Sequence, residues 1–423
     1  MRILVLGAAG FIGRHIVAEL LNGGHQPVGA VRRVADFAKA FPGVAAVACD
    51  LVRDTSVSDW LPRLTGIDAV VNAAGVLSGA EMEAVHVTAP RALYEACAQA
   101  GVKRVVLISA ISARPEVATD YSRAKLAGEK LLQDGPLDWT ILKPSLIVAK
   151  GSYGGTSLIR GLAGLPLLTP LVGDGHFGFS PLHARDFARA VRIVCAEGRF
   201  SRKVLEPAGP EIISLRDLLS RYRMWLGFAP VPFLPVPMGI MRLLAGLGDR
   251  MGRGPISSNS LAQLIAGNDG DGRRFAAEIG FAPRSLAQSM AEEPAEVQDR
   301  WHARLFFMAP VLKVALAIMW LLSGLIGFFT GMPLAQGVLA TLGLPQGLAM
   351  PVVVLTCVLD LVICFLILSG RKATAAQLIV IAGYTLVLTF ASPTLWLDPL
   401  GPLLKNIPIV AAVLCHGVLR QQR

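Results

Sequence analysis

The stretch "MRILVLGAAGFIG", Met1–Gly13, decides the fold class. A short apolar, β-branched run ends at Gly7, and helix-forming residues resume after Gly10. A strand that breaks at glycine and restarts as a helix is the opening of a βαβ unit. Glycine at positions 7, 10 and 13 permits a tight turn and lets the backbone approach a pyrophosphate, whose charge the helix N-terminus stabilises. Phe11 and Ile12 then form the first helical turn against that phosphate. The glycines also interrupt the run too early for a secretory signal, which places the first domain in the cytosol as an expectation.

Working outward, "QPVGAVR", "AVVNAAG", "RVVLISA" and "WTILKPSLI" repeat the pattern, each followed by a helical stretch. Strands alternating with helices imply an α/β fold, a doubly wound parallel Rossmann sheet. Its nucleotide-binding core is expected over residues 1–150, with a small substrate-side portion over 151–300.

Composition then points away from a wholly soluble chain. Across 423 residues 53% are hydrophobic and 17% charged, which calls for membrane spans. Long apolar runs cover 308–329, 347–369 and 375–396, with a shorter fourth at 403–419. Together they predict an all-α bundle of about four transmembrane helices within 301–423. The segment "RWHAR", the loop holding Arg371 and Lys372, and the tail "RQQR" are basic, whereas "TGMPLAQGVLATLGLPQG" carries no charge. Both termini are therefore expected on the cytosolic side of the cell (inner) membrane. With a net charge of +10, the better partner is the lipid bilayer, not nucleic acid. Six cysteines show neither disulfide nor metal-ligand spacing and read as buried thiols; no metal is expected.

Two features concern chemistry. An NAD site usually has an acid at the end of the second strand, but this chain reads "VGAVRR" there, ending in Arg32 and Arg33. Guanidinium groups at that place suit a 2′-phosphate, with Arg14 as a helper, so NADP(H) is expected over NAD(H). In "DYSRAKLAGEK", Tyr121 and Lys125 lie four residues apart and share a helix face. They suit a phenol acid/base with a cation beside it, or else an ordinary polar helix surface; the glycine turn upstream favours the former.

The series "GAAGFIGR", "CDL" (49–51), "NAAG" (72–75), "VLISA" (106–110), "YSRAK" (121–125), "LKPSLIV" and "FSPLHARDFARAV" resembles the extended and atypical short-chain dehydrogenase/reductases. Within them it is most similar to the branch of the complex I accessory subunit and the epimerase/dehydratase-like proteins. Residues 301–423 resemble a DoxX-type four-helix membrane domain by architecture. The resemblance implies that Asp50 and Leu51 flank the adenine and that Ala74 and Gly75 line the middle of the cofactor. It implies that Lys125 reaches the ribose and that Lys143, Pro144 and Ser145 sit near the nicotinamide. It makes Asp186 structural. The family's orienting hydroxyl falls on Ala110 here, leaving Ser109 or Ser112 to replace it.

The activity expected is hydride transfer to or from a carbonyl or alcohol of a hydrophobic substrate. A sugar-nucleotide epimerase or dehydratase holding NAD, and a non-catalytic nucleotide-binding scaffold, are the alternatives. Residues 238–253 read as a basic amphipathic helix, lying either on a membrane or on the substrate domain. Asp360, inside a span, reads as a helix–helix hydrogen bond or a proton or polar-ligand site.

Overall fold

A computed structural model describes residues 1–251 and 257–420. Arg253, the side chain of Met251 and the last three residues of the basic tail lie outside the described residues. The chain forms two compact units, Met1–Ala303 and the remainder from Arg304.

Seven strands build the main sheet of the first unit: β1 (Arg2–Leu6), β2 (Gln26–Val31), β3 (Ala45–Ala48), β4 (Ala69–Asn72), β5 (Arg104–Ile108), β6 (Asp138–Leu142) and β7 (Lys203–Leu205). Their order is β7-β6-β5-β4-β1-β2-β3, and every pairing is parallel. The order reverses beside β1, so the crevice at the carboxyl ends of β1 and β4 is the switch point where such sheets take ligands.

The residues of β1 show why the sheet is covered on both faces. Ile3 and Val5 join one core with Ile16, Val17 and Leu20 of helix α1 (Phe11–Asn22), while Leu4 and Leu6 join another with Leu93 and Cys97 of α2 (Ala89–Gln99). Successive strand residues point to opposite faces, so an unbroken apolar strand needs helices on both. Helix α3 (Asp120–Gln133) follows β5, and α4 (Ala184–Ala196) packs beside α1 through Phe187, Val191 and Val194. Asp186 on α4 receives Arg284 on both carboxylate oxygens, with Nη2 to Oδ1 at 2.9 Å and Nε to Oδ2 at 3.1 Å. It ties α4 to the chain 98 residues on, and between the two partners lie α5 (Met238–Met251) and α6 (Ser258–Ile265).

In the second unit, α7 (Val297–Thr330) begins well before the apolar run that announces it, inside the first unit's sequence. The uncharged stretch read as a loop contains a further helix, α8 (Met332–Thr341), with Pro333 in its first turn. Then come α9 (Ala349–Leu368), α10 (Thr374–Ala391) and the shorter α11 (Asn406–Leu419). The third span is shorter than its apolar run, because α10 stops at Ala391 before Pro393. By length and composition, three helices among the described residues suffice to cross a membrane: Val297–Thr330, Gln346–Leu368 and Thr374–Ala391.

Inside this bundle Asp360 accepts hydrogen bonds from Ser323 Oγ at 2.6 Å and Tyr384 Oη at 2.9 Å, one from α7 and one from α10. Gln377 accepts from Trp320 Nε1 at 3.0 Å. Lys313 Nζ donates to the Leu368 carbonyl at the end of α9. Of the six cysteines five are buried, but Cys415 is exposed on α11, contrary to the expectation that all would be. A thiol is apolar enough to face lipid.

Candidate active site

The carboxyl ends of the strands bring the sequence-derived residues to one edge. Gly7 follows β1, Arg32 follows β2, Asp50 lies just past β3, Ala74 and Gly75 past β4, Ser109 past β5 and Lys143 past β6.

The glycine turn is closely fitted. Gly7 has φ +70°, where an L side chain is disfavoured, and its backbone lies against that of Ala73. A Cβ at Gly13 would stand 2.1 Å from the Gly7 carbonyl oxygen. Gly10 caps α1 with no side-chain hydrogen bond, so the first N–H groups of the helix, those of Phe11 and Ile12 among them, are left for an anion. These features fit a dinucleotide pyrophosphate. Phe11 and Ile12 also pack their side chains against the core. Arg14 turns back, its Nε donating to the Ala9 carbonyl at 3.1 Å.

Arg32 and Arg33 are exposed beyond β2. Arg33 pairs with Asp36 at 3.1 Å, whereas Arg32 has no ion pair among the described residues. Past β3, Asp50 accepts from the Val52 N–H at 3.2 Å, and Leu51 packs on the core. Past β4, Asn72 Oδ1 accepts the Ala74 N–H at 3.2 Å and shapes the loop that carries Gly75.

Helix α3 supplies the polar centre. Thr119 caps it, accepting the Ser122 N–H at 3.0 Å. Tyr121, Lys125 and Glu129 then follow at four-residue spacing and share one face. The Lys125 ammonium donates to the Ile108 carbonyl at 3.0 Å and lies 6.0 Å from the centre of the Tyr121 ring. A Cβ on Gly75 would stand 3.3 Å from Lys125 Nζ, so the lysine abuts the β4 loop.

Two residues that the sequence reading missed complete the group. His86 meets the Tyr121 ring edge-on, with centroids 5.9 Å apart, and its Nε2 lies 2.9 Å from the Val76 carbonyl. The buried carboxylate of Glu129 accepts from the Ser109 hydroxyl and receives Lys143 Nζ at 3.3 Å. Lys143 Nζ also donates to the Ala113 carbonyl at 2.7 Å. Glu129 had a sequence signal, since it continues the tyrosine–lysine spacing by one more turn. His86 had none, because a long-range fold contact brings it in.

Ser109, foreseen as a stand-in for the hydroxyl missing at Ala110, donates its proton to Glu129 in this structure. Ser112 is buried in the next turn. The Ile111 N–H donates to the Pro144 carbonyl, and Ser145 donates its hydroxyl to the Ser180 carbonyl.

Electrostatics differ from expectation as well. Burial, and then the Glu129 charge, push the Tyr121 phenol up to about 12, away from the working range foreseen for it beside Lys125. Burial brings the Lys125 ammonium down to about 8, against the opposing pull of Glu129. Burial, followed by the Lys125 charge, lowers His86 to about 4, so its imidazole is neutral near pH 7. Tyr121 is therefore protonated near pH 7, beside a readily titrated lysine.

Such a sheet, turn and tyrosine–lysine helix define the class of Rossmann dinucleotide-binding, oxidoreductase- and epimerase-like proteins. The NAD(P)H-binding family matches residues 7–161, and the DoxX-like family matches residues 317–414. Sterol demethylase protein B of Methylococcus capsulatus is 27% identical over 338 residues, covering 71% of this chain and 99% of that protein. UPF0659 protein YMR090W of Saccharomyces cerevisiae is 31% identical over 166 residues, 36% of this chain and 73% of that one. The solved structure of MoeE5 in complex with UDP-glucuronic acid and NAD is similar with a TM-score of 0.51 at 25% identity, covering 69% and 97%. The chain belongs to the NAD(P)-binding, short-chain dehydrogenase/reductase-like family and ends in a DoxX-like membrane domain.

Proposed function

We propose that the protein is a membrane-anchored reductase, transferring hydride from NADPH to a carbonyl of a hydrophobic substrate. One observation carries this reading: a protonated Tyr121 and a buried Lys125 share a helix face, with the lysine against the β4 loop beside the glycine turn. The bound nucleotide supplies the hydride. Tyr121 gives its phenolic proton to the substrate oxygen as negative charge develops there. Lys125 steadies the phenolate left behind and is close enough to the β4 loop to hold the ribose. Neutral His86 packs the tyrosine ring in place. The alcohol leaves, and Tyr121 regains a proton from solvent through Lys125.

Arg32, exposed past β2 where an acid would serve NAD, supports NADPH as the nucleotide. The lipid substrate class is supported by the membrane domain and by the likeness to a protein named for sterol demethylation. The basic Arg371–Lys372 connection between α9 and α10 supports a cytosolic catalytic domain and C-terminus. A reporter fused after Leu344 reads that orientation; cytosolic activity there would reverse it.

The likeness to MoeE5 favours a second reading, a sugar-nucleotide epimerase that holds NAD and recycles it. Mass spectrometry of nucleotide and lipid co-purified in mild detergent separates the two: NADP(H) with an enriched lipid supports the reductase, tightly held NAD(H) without one the epimerase. In the reductase, Tyr121→Phe abolishes turnover and spares nucleotide affinity. Undiminished activity in that variant overturns the assignment of the acid.

A further inference from the structure

Helix α5 turns its apolar row outward. Ile240, Leu243, Leu244 and Leu247 are 49%, 65%, 43% and 45% exposed, whereas Ala245 is buried. At about 100° per residue the four outward residues fill an arc about 100° wide, and Ala245 lies roughly 150° from its middle. Ala245 thus packs inward, and the helix offers its leucines to something else. Leu167 and Leu234, near the paired strands that lead into α5, are likewise exposed, at 80% and 50%.

Charge is sparse on this surface and placed at its margin. By the same helical rotation Arg250 stands at the edge of the arc. Asp249 points away from it, its carboxylate accepting the Ser258 N–H at 3.0 Å. A leucine face edged by arginine suits the boundary between anionic headgroups and acyl chains. The same polypeptide carries helices long and apolar enough to cross a bilayer, so a lipid surface is within reach of this chain.

We infer that α5 docks on the bilayer surface, with Ile240, Leu243, Leu244 and Leu247 in the acyl boundary and Arg250 among anionic headgroups. The neighbouring helix makes that docking relevant to the site. On α6, Gln263 Nε2 donates to Thr119 Oγ1 at 2.9 Å, and Thr119 caps the helix that carries Tyr121. Asn259 Nδ2 reaches the Leu77 carbonyl, in the loop after Gly75, at 3.4 Å. Helix α6 therefore holds the mouth of the crevice, and α5 sets it against lipid. On the reductase reading, which this consequence alone rests on, the substrate arrives from the bilayer.

The test uses the full chain in nanodiscs of phosphatidylcholine and phosphatidylglycerol at about three to one. A benzophenone amino acid replaces Leu243 or Leu247, with Leu21, 42% exposed on α1, as the control position. Illumination and mass spectrometry then identify the adducts. Lipid adducts several-fold above the Leu21 level at both positions support docking. Adducts joining two chains show that a second copy covers the face, and adducts no more frequent than at Leu21 show that it meets water; either overturns the inference. Crosslinking reads docking whether or not the protein turns over, so loss of the reductase reading is seen separately, as failure to consume NADPH.

Discussion

The Ser109 hydroxyl donates its hydrogen bond to the Glu129 carboxylate, two helical turns beyond Tyr121 on the same face. Lys143 holds the other carboxylate oxygen, so one buried acid takes up the hydroxyl and the cation that end β5 and β6. The same charge opposes ionisation of Tyr121 and supports the Lys125 ammonium. Replacing Glu129 by Gln should lower both values. Tyrosinate absorbance titrated against the Tyr121→Phe protein reads the first, and a midpoint that stays near 12 would show the two groups to be uncoupled.

Acid should weaken the first unit through His86. Its folded value, about 4, lies below the ordinary 6.5, so between these values the unfolded chain binds a proton that the folded chain does not. Stability is therefore whole above about pH 6.5 and falls as pH drops toward 4, by on the order of 3 kcal/mol. Burial lowers His183 too, and its loss runs in the same direction. Chemical denaturation from pH 7 to 4 should show a shallower decline in His86→Gln than in the parent. Equal slopes would remove His86 from the account.

Gly13→Ala should disable nucleotide binding. Its methyl would sit 2.1 Å from the Gly7 carbonyl, and both partners are backbone, so the turn itself must move. A loss of NADPH affinity of tenfold or more is expected by calorimetry, equivalent to about 1.4 kcal/mol or more. Gly155→Ala, where nothing lies within 4 Å of the added carbon, is the neutral comparison. Matching affinities in the two variants would move the pyrophosphate elsewhere.

Arg32→Ser should change nucleotide choice more than overall binding. A charge-assisted contact to a 2′-phosphate contributes about 1.5–3 kcal/mol, so NADPH affinity should fall roughly tenfold to a hundredfold while NADH affinity barely changes. Equal losses for both nucleotides would point to a structural role for the guanidinium.

Much of the nucleotide-binding half is legible from local signals. Gly7, Gly10 and Gly13 after an apolar strand specify a turn whose chemistry needs no distant partner, and the alternating runs specify the parallel sheet. Tyr121 and Lys125 announce themselves by spacing. Glu129 repeats that spacing but looks like any helix glutamate until burial sets it against Lys143. His86 meets Tyr121, and Gln263 meets Thr119, only because the chain returns across many residues, and no local pattern records such returns. Helix α8 hid in an uncharged stretch because glycine and proline at both ends read as a loop. The absent hydroxyl at Ala110 was visible, but the turn of Ser109 toward Glu129 was not.

Asp360 adds a constraint on how the membrane unit is made. Its two hydroxyl partners lie on α7, which precedes it, and on α10, which follows it. While the chain is being synthesised, Ser323 is available when α9 enters the bilayer, but Tyr384 is not yet there. Until α10 inserts, a carboxyl group inside the membrane has half its final partners, a state that costs free energy in hydrocarbon. Insertion of α10 therefore completes the hydrogen bonding of Asp360, and a chain ending near Ala373 would lack the Tyr384 partner of that carboxyl group.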